Sequence, residues 1–338
     1  MARDDQVIAV GHHERAGMDH AEVVALREAG DAARGATLYV TLEPCNHHGR
    51  TPPCVDVIIR SGIKRVVVGL RDPNPHVQGG GVEVLQAAGI EVESGVRAAD
   101  AKLLIEPWIK YVTVGLPYIK LKIAVSLDGR IATRTGASKW VTGMEARAKV
   151  HELRAQCDAV MVGVGTVVAD DPQLTVRDAQ GANPIRITLD SKLRMAPTAV
   201  LATTAHEVPT WVLTTPEAPE ALERALSAQG VEVIRVARTS EGRVDVSSAF
   251  RALAQRGIVK LLIEGGAELA GSVLASRLAD ELHVFIGPLL LGPRGRPGAV
   301  DWAGPSTPAE APRIIDPKWE LCGRDAYVHG VVSYPNAR

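Results

Sequence analysis

Aromatic side chains are scarce in this 338-residue chain, where two Phe, five Trp and five Tyr make up 4% of the sequence. Its cores must therefore be filled mainly by aliphatic groups. Cysteine is scarce too: Cys45, Cys54, Cys157 and Cys322 are too few for a disulfide scaffold. Charge of one sign is lacking, since 38 Lys+Arg face 39 Asp+Glu for a net charge of -1. That balance removes any global electrostatic reason to expect nucleic acid or an anionic membrane as partner, so a bound phosphate must be held locally. No run of 18 apolar residues occurs, which excludes an apolar spanning helix, and the opening MARDDQ has no apolar core of a signal peptide. A cytoplasmic protein is expected. Internal repeats and low-complexity tracts are also missing.

What is present is an ordinary globular composition, 46% hydrophobic and 23% charged, over a length that suggests two domains. Short Val/Ile/Leu runs alternate with Ala-rich helical stretches, the pattern of an α/β protein with buried strands. Residues 37–42 (TLYVTL) and 64–70 (KRVVVGL) read as strands, and 20–29 and 54–61 as helices. A second series starts at Tyr118 and runs through PIRITLD, PTWVLTT, KLLIEGG and ELHVFIG. Gly115 and Pro117 punctuate the junction. The expected domains are 1–115 and 116–338.

Two cysteines lie nine positions apart amid His, Pro and Glu. With His20 at a helix start, Cys45 just after a strand and Cys54 at a second helix start, they offer one imidazole and two thiolates, a set that suits Zn²⁺. Three protein ligands leave a fourth position for water. Glu22, two residues from His20, could shuttle protons between that water and a substrate amine, the arrangement of zinc deaminases. The segment between the cysteines, NHHGRTPP, adds His47, His48 and Arg50, and an arginine can fork onto phosphate. Each motif alone has a blander origin: HxE on a surface helix, a thiol buried at a turn. Their joint order favours the metal. His12 and His13 read as surface residues.

The second half offers glycine turns. KLLIEGGAELAGS (260–272) reads as strand, Gly-Gly turn and helix, whose bare N–H groups could bind phosphate. VMVGVGTVVADD (160–171) is a second such turn, and it does not match a Rossmann fingerprint. Taken by itself, each reads better as a tight turn of an α/β sheet. Without a ligand, Arg154 is expected on a polar helix face. No acid/base pair or nucleophilic triad emerges here, which suggests a cofactor that carries the chemistry itself.

HAEVVAL (20–26), TLEPCNHHGRTPPC (41–54), RDPNP (71–75), GLPYIKLKIAVSLDGRIA (115–132), SKWVTG (138–143), VGVGTVVADDPQLTVR (162–177) and IEGGAELAGS (263–272) together resemble the bifunctional pyrimidine deaminase/reductase family of riboflavin biosynthesis over essentially the whole chain. The resemblance implies a cytidine deaminase-like α/β/α domain followed by a dihydrofolate reductase-like α/β domain. It implies zinc-dependent deamination of 2,5-diamino-6-(5-phosphoribosylamino)pyrimidin-4(3H)-one, then NADPH-dependent reduction of the ribosyl chain to ribityl. Carried over, His20, Cys45 and Cys54 hold zinc and Glu22 moves protons. His47, Arg50, Asp72 and Asn74 surround the first substrate. Ala124, Trp140, Thr166, Asp170, Ser191 and the turn Gly266, Ala267, Glu268, Leu269, Ala270, Gly271 and Ser272 match NADPH positions. Ser138, Arg154, Leu174, Arg177 and Glu264 match substrate positions, both arginines toward the 5'-phosphate, and Lys122 polarises or protonates the opened sugar. The implied partners are a small phosphorylated pyrimidine and further copies of the chain, as a dimer or tetramer.

Family members carry a helix and an Asn-Pro-bearing strand ahead of the segment that here begins near Gln6. Both are expected to be missing, which should leave an interior place in the sheet open at a cost of several kcal/mol. An upstream start is the favoured explanation, and a reductase with an inactive deaminase remnant the alternative. Gly80 and Ile105 also depart from the family pattern.

Overall fold

The computed structural model describes residues 1–14, 17–49, 51–75, 80–292 and 298–335 and divides into two compact units, Met1–Val114 and Gly115–Arg338. Each is described by itself.

The first unit holds a five-stranded sheet in the order β2-β1-β3-β4-β5, formed by β1 (Ala2–Arg3), β2 (Gln6–Val7), β3 (Thr37–Leu42), β4 (Arg65–Leu70) and β5 (Glu91–Ser94). Strands β3 to β5 are parallel, and β1 pairs antiparallel with both its neighbours. Val66, Val67 and Val68 are buried in succession, as befits a parallel strand covered on both faces. Helices α1 (Ala21–Ala29), α2 (Cys54–Ser61), α3 (Gly81–Ala87) and α4 (Ala98–Val114) complete the unit. In α2 the spacing CVDVIIRS sends Cys54, Val55 and Ile58 into the core and leaves Asp56 and Arg60 in solvent. The interior strand expected to be missing is represented by the two residues of β1, which also seat the Met1 amino group on the Ala9 carbonyl at 2.8 Å. The interior place is thus filled over a short length rather than vacant.

The second unit carries a nine-stranded sheet, β10-β9-β8-β7-β11-β6-β12-β14-β13. Its strands are β6 (Tyr118–Ser126), β7 (Ala159–Gly163), β8 (Ile185–Leu189), β9 (Thr210–Thr214), β10 (Glu232–Arg235), β11 (Lys260–Glu264), β12 (Glu281–Gly287), β13 (Arg313–Cys322) and β14 (Asp325–Ser333). All run in one direction except β14, which pairs antiparallel with β12 and β13. The helices are α5 (Met144–Ala155), α6 (Val164–Asp170), α7 (Val200–Thr203), α8 (Glu220–Ser227), α9 (Val246–Gln255) and α10 (Ala267–Ala275). Alternation along β6 decides the layout. Ile119, Leu121, Ile123 and Val125 join the core beneath α9 and α10, whereas Lys120, Lys122 and Ala124 face the opposite layer, the one that holds α5.

Candidate active sites

In the first unit, three segments that the chain separates by up to 34 residues meet at one point. His20 sits just ahead of the first turn of α1 and Cys54 opens α2. Cys45 follows β3, where the Cys54 amide donates to its sulfur at 3.3 Å. His20 Nδ1 lies 3.2 Å from Cys54 Sγ and 3.5 Å from Cys45 Sγ. All three donor atoms fall within 4.8 Å of one another. A tetrahedral zinc with its usual Zn–S and Zn–N bonds separates such donors by about 3.5–3.8 Å, so the set fits the ion with little adjustment. The hydrogen bond from the Cys54 thiol holds the Cys45 sulfur at about 4, well into the thiolate range, while the same bond pushes Cys54 up. His20 is raised chiefly by its hydrogen bond with Cys45. Glu22, in the first turn of α1, is raised by burial, with the thiols and the imidazole among its neighbours.

Residues that the sequence did not single out support this centre. Glu43 is buried and accepts from the Asp72 and Val82 amides at 3.1 and 3.0 Å, with the Arg71 guanidinium 3.2 Å away. It ties the RDPNP segment to α3 directly beside Cys45; its signal was the acid in TLEPC. A Cβ on Gly81 would lie 2.0 Å from the Pro44 carbonyl oxygen, so only glycine lets α3 approach there. Thr51 Oγ1 stands 3.5 Å from His20 Nε2, and His13, read as a surface residue, packs edge-on against the His20 ring at 5.2 Å. Asp72 is half-buried, accepts from the Asn74 amide at 2.8 Å, and feels both His47 and Cys45. Asp72, Asn74 and the exposed His47 thus flank the centre. Arg50 lies outside the described residues.

The second unit brings together groups more than a hundred positions apart. Arg154, on α5, grips Glu264, at the end of β11, through Nε at 2.5 Å and Nη2 at 3.0 Å, while its Nη1 donates to the Thr175 carbonyl at 2.9 Å. Lys122 pairs with Glu264 in register across β6 and β11 and places its Nζ 3.9 Å from the carboxylate. Arg154 is therefore a buried ion-pair member and not part of a polar helix face; the carboxylate that draws it in stands on β11, a strand that no local pattern places beside α5. Burial alone would raise Glu264, but Arg154 outweighs it and the carboxyl is held below its ordinary range. Lys122 is lowered, by burial first. An acid and a base that no sequence spacing paired thus stand side by side.

Around this triad lie most of the other candidates. Ser138 donates to Asp170 at 2.9 Å, at the end of α6. Arg177 is exposed, and Leu174 is buried with a left-handed φ of 54°. Thr166 packs its hydroxyl against Gly265, and Gly265 and Gly266 have φ of 72° and 83°, which favour glycine. Beyond that turn Ala267, Leu269, Ala270 and Gly271 are buried, and a Cβ on Gly271 would lie 1.9 Å from the Asp301 carbonyl oxygen. These residues serve packing, so any ligand here meets backbone N–H groups, the exposed Glu268 or the half-buried Ser272. Ala124 is half-buried on β6, and the exposed Trp140 stacks on Arg147 at 4.3 Å. Ser191 lines a separate cavity of about 430 Å³ with Lys192, Thr215, Glu217 and Arg238.

Comparison with known proteins accounts for both units. Residues 1–70 match the cytidine and deoxycytidylate deaminase zinc-binding region, and residues 117–330 match the RibD C-terminal domain. The chain is 46% identical over 293 residues to a riboflavin biosynthesis protein RibD of Aquifex aeolicus, covering 86% of this chain and 80% of that protein. It is 40% identical to the Escherichia coli protein of the same name, over 97% and 91%. Among solved structures, Acinetobacter baumannii RibD superposes with a TM-score of 0.85 at 38% identity, over 98% of this chain and 90% of that one. A diaminohydroxyphosphoribosylaminopyrimidine deaminase/5-amino-6-(5-phosphoribosylamino)uracil reductase from Thermotoga maritima gives 0.81 at 38%, with the same coverage.

Proposed function

This chain belongs to the RibD family of riboflavin biosynthesis proteins, and we propose that its first unit deaminates the diaminopyrimidinone 5'-phosphate while its second reduces the ribosyl chain of the product. The convergence of His20, Cys45 and Cys54 carries the first half of that reading, and it favours a two-step enzyme over a reductase with a deaminase remnant. His20, Cys45 and Cys54 hold the ion. Zinc, when bound, supplies a Lewis acid that brings a water's pKa toward neutrality. Glu22 takes the proton of the attacking water and returns it to the departing amine, a role suited to a carboxyl that burial keeps easily protonated. Asp72, Asn74 and His47 orient the pyrimidine, with Arg50 reaching for its phosphate.

For the reductase, the observation that fits NADPH is the cavity beside Ser191 together with the glycine turn after β11, both at C-terminal ends of parallel strands, the usual ligand crevice of such sheets. Ser191, Lys192 and Arg238 receive the phosphorylated adenosine end, and the Gly265–Gly266 turn with Thr166 receives the pyrophosphate. Bound NADPH supplies the hydride. Lys122 holds a proton near the opening sugar, and Glu264 fixes where that ammonium points. Arg154 spends its donors on Glu264 and Thr175, which leaves the exposed Arg177 as the guanidinium for the 5'-phosphate; Ser138 remains a candidate for the same substrate.

The proposal includes a cytoplasmic location, where the Cys45 and Cys54 thiols stay reduced, and self-association as a dimer or tetramer. The exposed Trp319 and Leu321 on edge strand β13 offer apolar surface for it, and light scattering tests it. A coupled assay on the diaminopyrimidinone tests the chemistry by scoring ammonia release and NADPH oxidation separately. Both are expected; NADPH oxidation without ammonia release would refute the two-step reading.

A further inference from the structure

A second His-containing cluster lies on the sheet of the reductase unit. Strands β12 and β14 pair so that His283 faces His329 across the ladder, and Glu281, two residues before His283, shares its face. His283 Nε2 stands 3.2 Å and His329 Nδ1 3.9 Å from the same oxygen, Glu281 Oε1. All three donor atoms lie within 4.8 Å of one another. The opposite nitrogen of each ring is already engaged. His283 Nδ1 is 2.6 Å from the Tyr327 hydroxyl, and His329 Nε2 is 3.2 Å from Glu320. An oxygen behind each imidazole is the outer-shell pattern that fixes the tautomer of a metal-bound histidine. His283 is 2% exposed, and its buried Nε2 faces the Glu281 carboxylate and no other described side chain that pairs with it. Lys120 occupies the other carboxylate oxygen, Glu281 Oε2, at 3.4 Å, so Oε1 remains for the rings.

We propose that Glu281, His283 and His329 form a second divalent-metal site, which takes a zinc-class ion through two imidazole nitrogens and one carboxylate oxygen and clips β12 to β14. Tetrahedral coordination places such donors about 3.3 Å apart, against 3.2 and 3.9 Å from Glu281 Oε1 to the two ring nitrogens, and the two imidazoles, now parallel with centroids 5.5 Å apart, turn toward the ion to bind it. Two imidazoles with one carboxylate and no thiolate select a borderline d-block ion over calcium or magnesium. Lys122, which pairs with His283, turns instead toward Glu264, so the cluster is separate from the reductase triad.

The test is zinc content after saturation and dialysis of the full chain. About two zinc per chain are expected in the wild type, about one in the Cys45→Ser/Cys54→Ser variant, and none once His329→Gln is added. In the thiol-less variant zinc should raise the thermal midpoint, and His329→Gln or Glu281→Gln should abolish that rise. An independent arm needs no variant: a mercurial that blocks the wild-type thiols should release one of the two zincs. Release of all the zinc, no zinc in the thiol-less variant, or zinc retained there after His329→Gln would each overturn the site.

Discussion

The centres of the two units solve the burial of polar groups in opposite ways. Around His20, Cys45 and Cys54 three metal-ligating donors crowd within 4.8 Å of one another, a set that an ion completes. Around Glu264 two cations, Arg154 and Lys122, close on one carboxylate, and the set is already hydrogen-bonded. Its one uncompensated positive charge suits an anionic substrate rather than a metal. The first centre is therefore reactive through what it holds, and the second through how rigidly it holds itself.

The sharpest way to break this comparison is to remove the donor set. Cys45→Ser or His20→Ala should abolish ammonia release and strip the one zinc that this donor set holds, yet leave NADPH oxidation on the deaminated pyrimidine intact. Glu22→Gln should keep the metal and lose about 10²–10⁴ in the deamination rate, the size of a missing proton shuttle. A parallel fall in NADPH oxidation would show that the two centres are not independent. The next largest effect belongs to the second centre. Glu264→Gln leaves Arg154 buried without its partner and should cost about 3–5 kcal/mol in urea unfolding, along with the reductase activity. The sign with pH follows from Glu264 being held below its ordinary 4.5: its contribution is complete above that value and fades as acid takes the pH below it. The gap between wild type and variant should therefore narrow on acidification, while the zinc content of the variant at neutral pH stays unchanged.

How far each centre was legible in the sequence follows from the same contrast. His20, Cys45 and Cys54 announce themselves because thiols and imidazole in that order do little else together, and each sits at a helix or strand end that composition marks. The alternation that puts Lys122 on the face opposite Leu121 could also be read from residues 118–126 alone. What no local pattern carried was the union of Arg154, Glu264 and Lys122, since it depends on β11 lying between β7 and β6. A single carboxylate at the end of an apolar strand looks like a turn signal until its neighbours are known. Glu43 and the packing role of Gly271 were hidden for the same reason: each answers to a segment brought close by the fold. Two residues of β1 were likewise too short to read as a strand.

The smallest expected effect probes whether charge balance or hydrogen bonding sets a carboxylate's behaviour in the second unit. Asp128 lies in the turn after β6 and forms no ion pair among the described residues. Its Oδ1 accepts from the Ser126 hydroxyl at 2.6 Å and the Leu291 amide at 3.0 Å, and its Oδ2 from the Gly292 amide at 2.7 Å. Those donors, the Ser126 hydroxyl foremost, hold it down to about 2 from an ordinary 3.8. Since the folded value is the lower one, its stabilisation is present above pH 3.8 and disappears as the pH falls through about 2. Asp128→Asn should thus lower the urea midpoint slightly at neutral pH, by less than Glu264→Gln does, and the two curves should merge near pH 2. A difference that persists there would mean that the shape of the turn, not the ionised oxygens, is what Asp128 contributes.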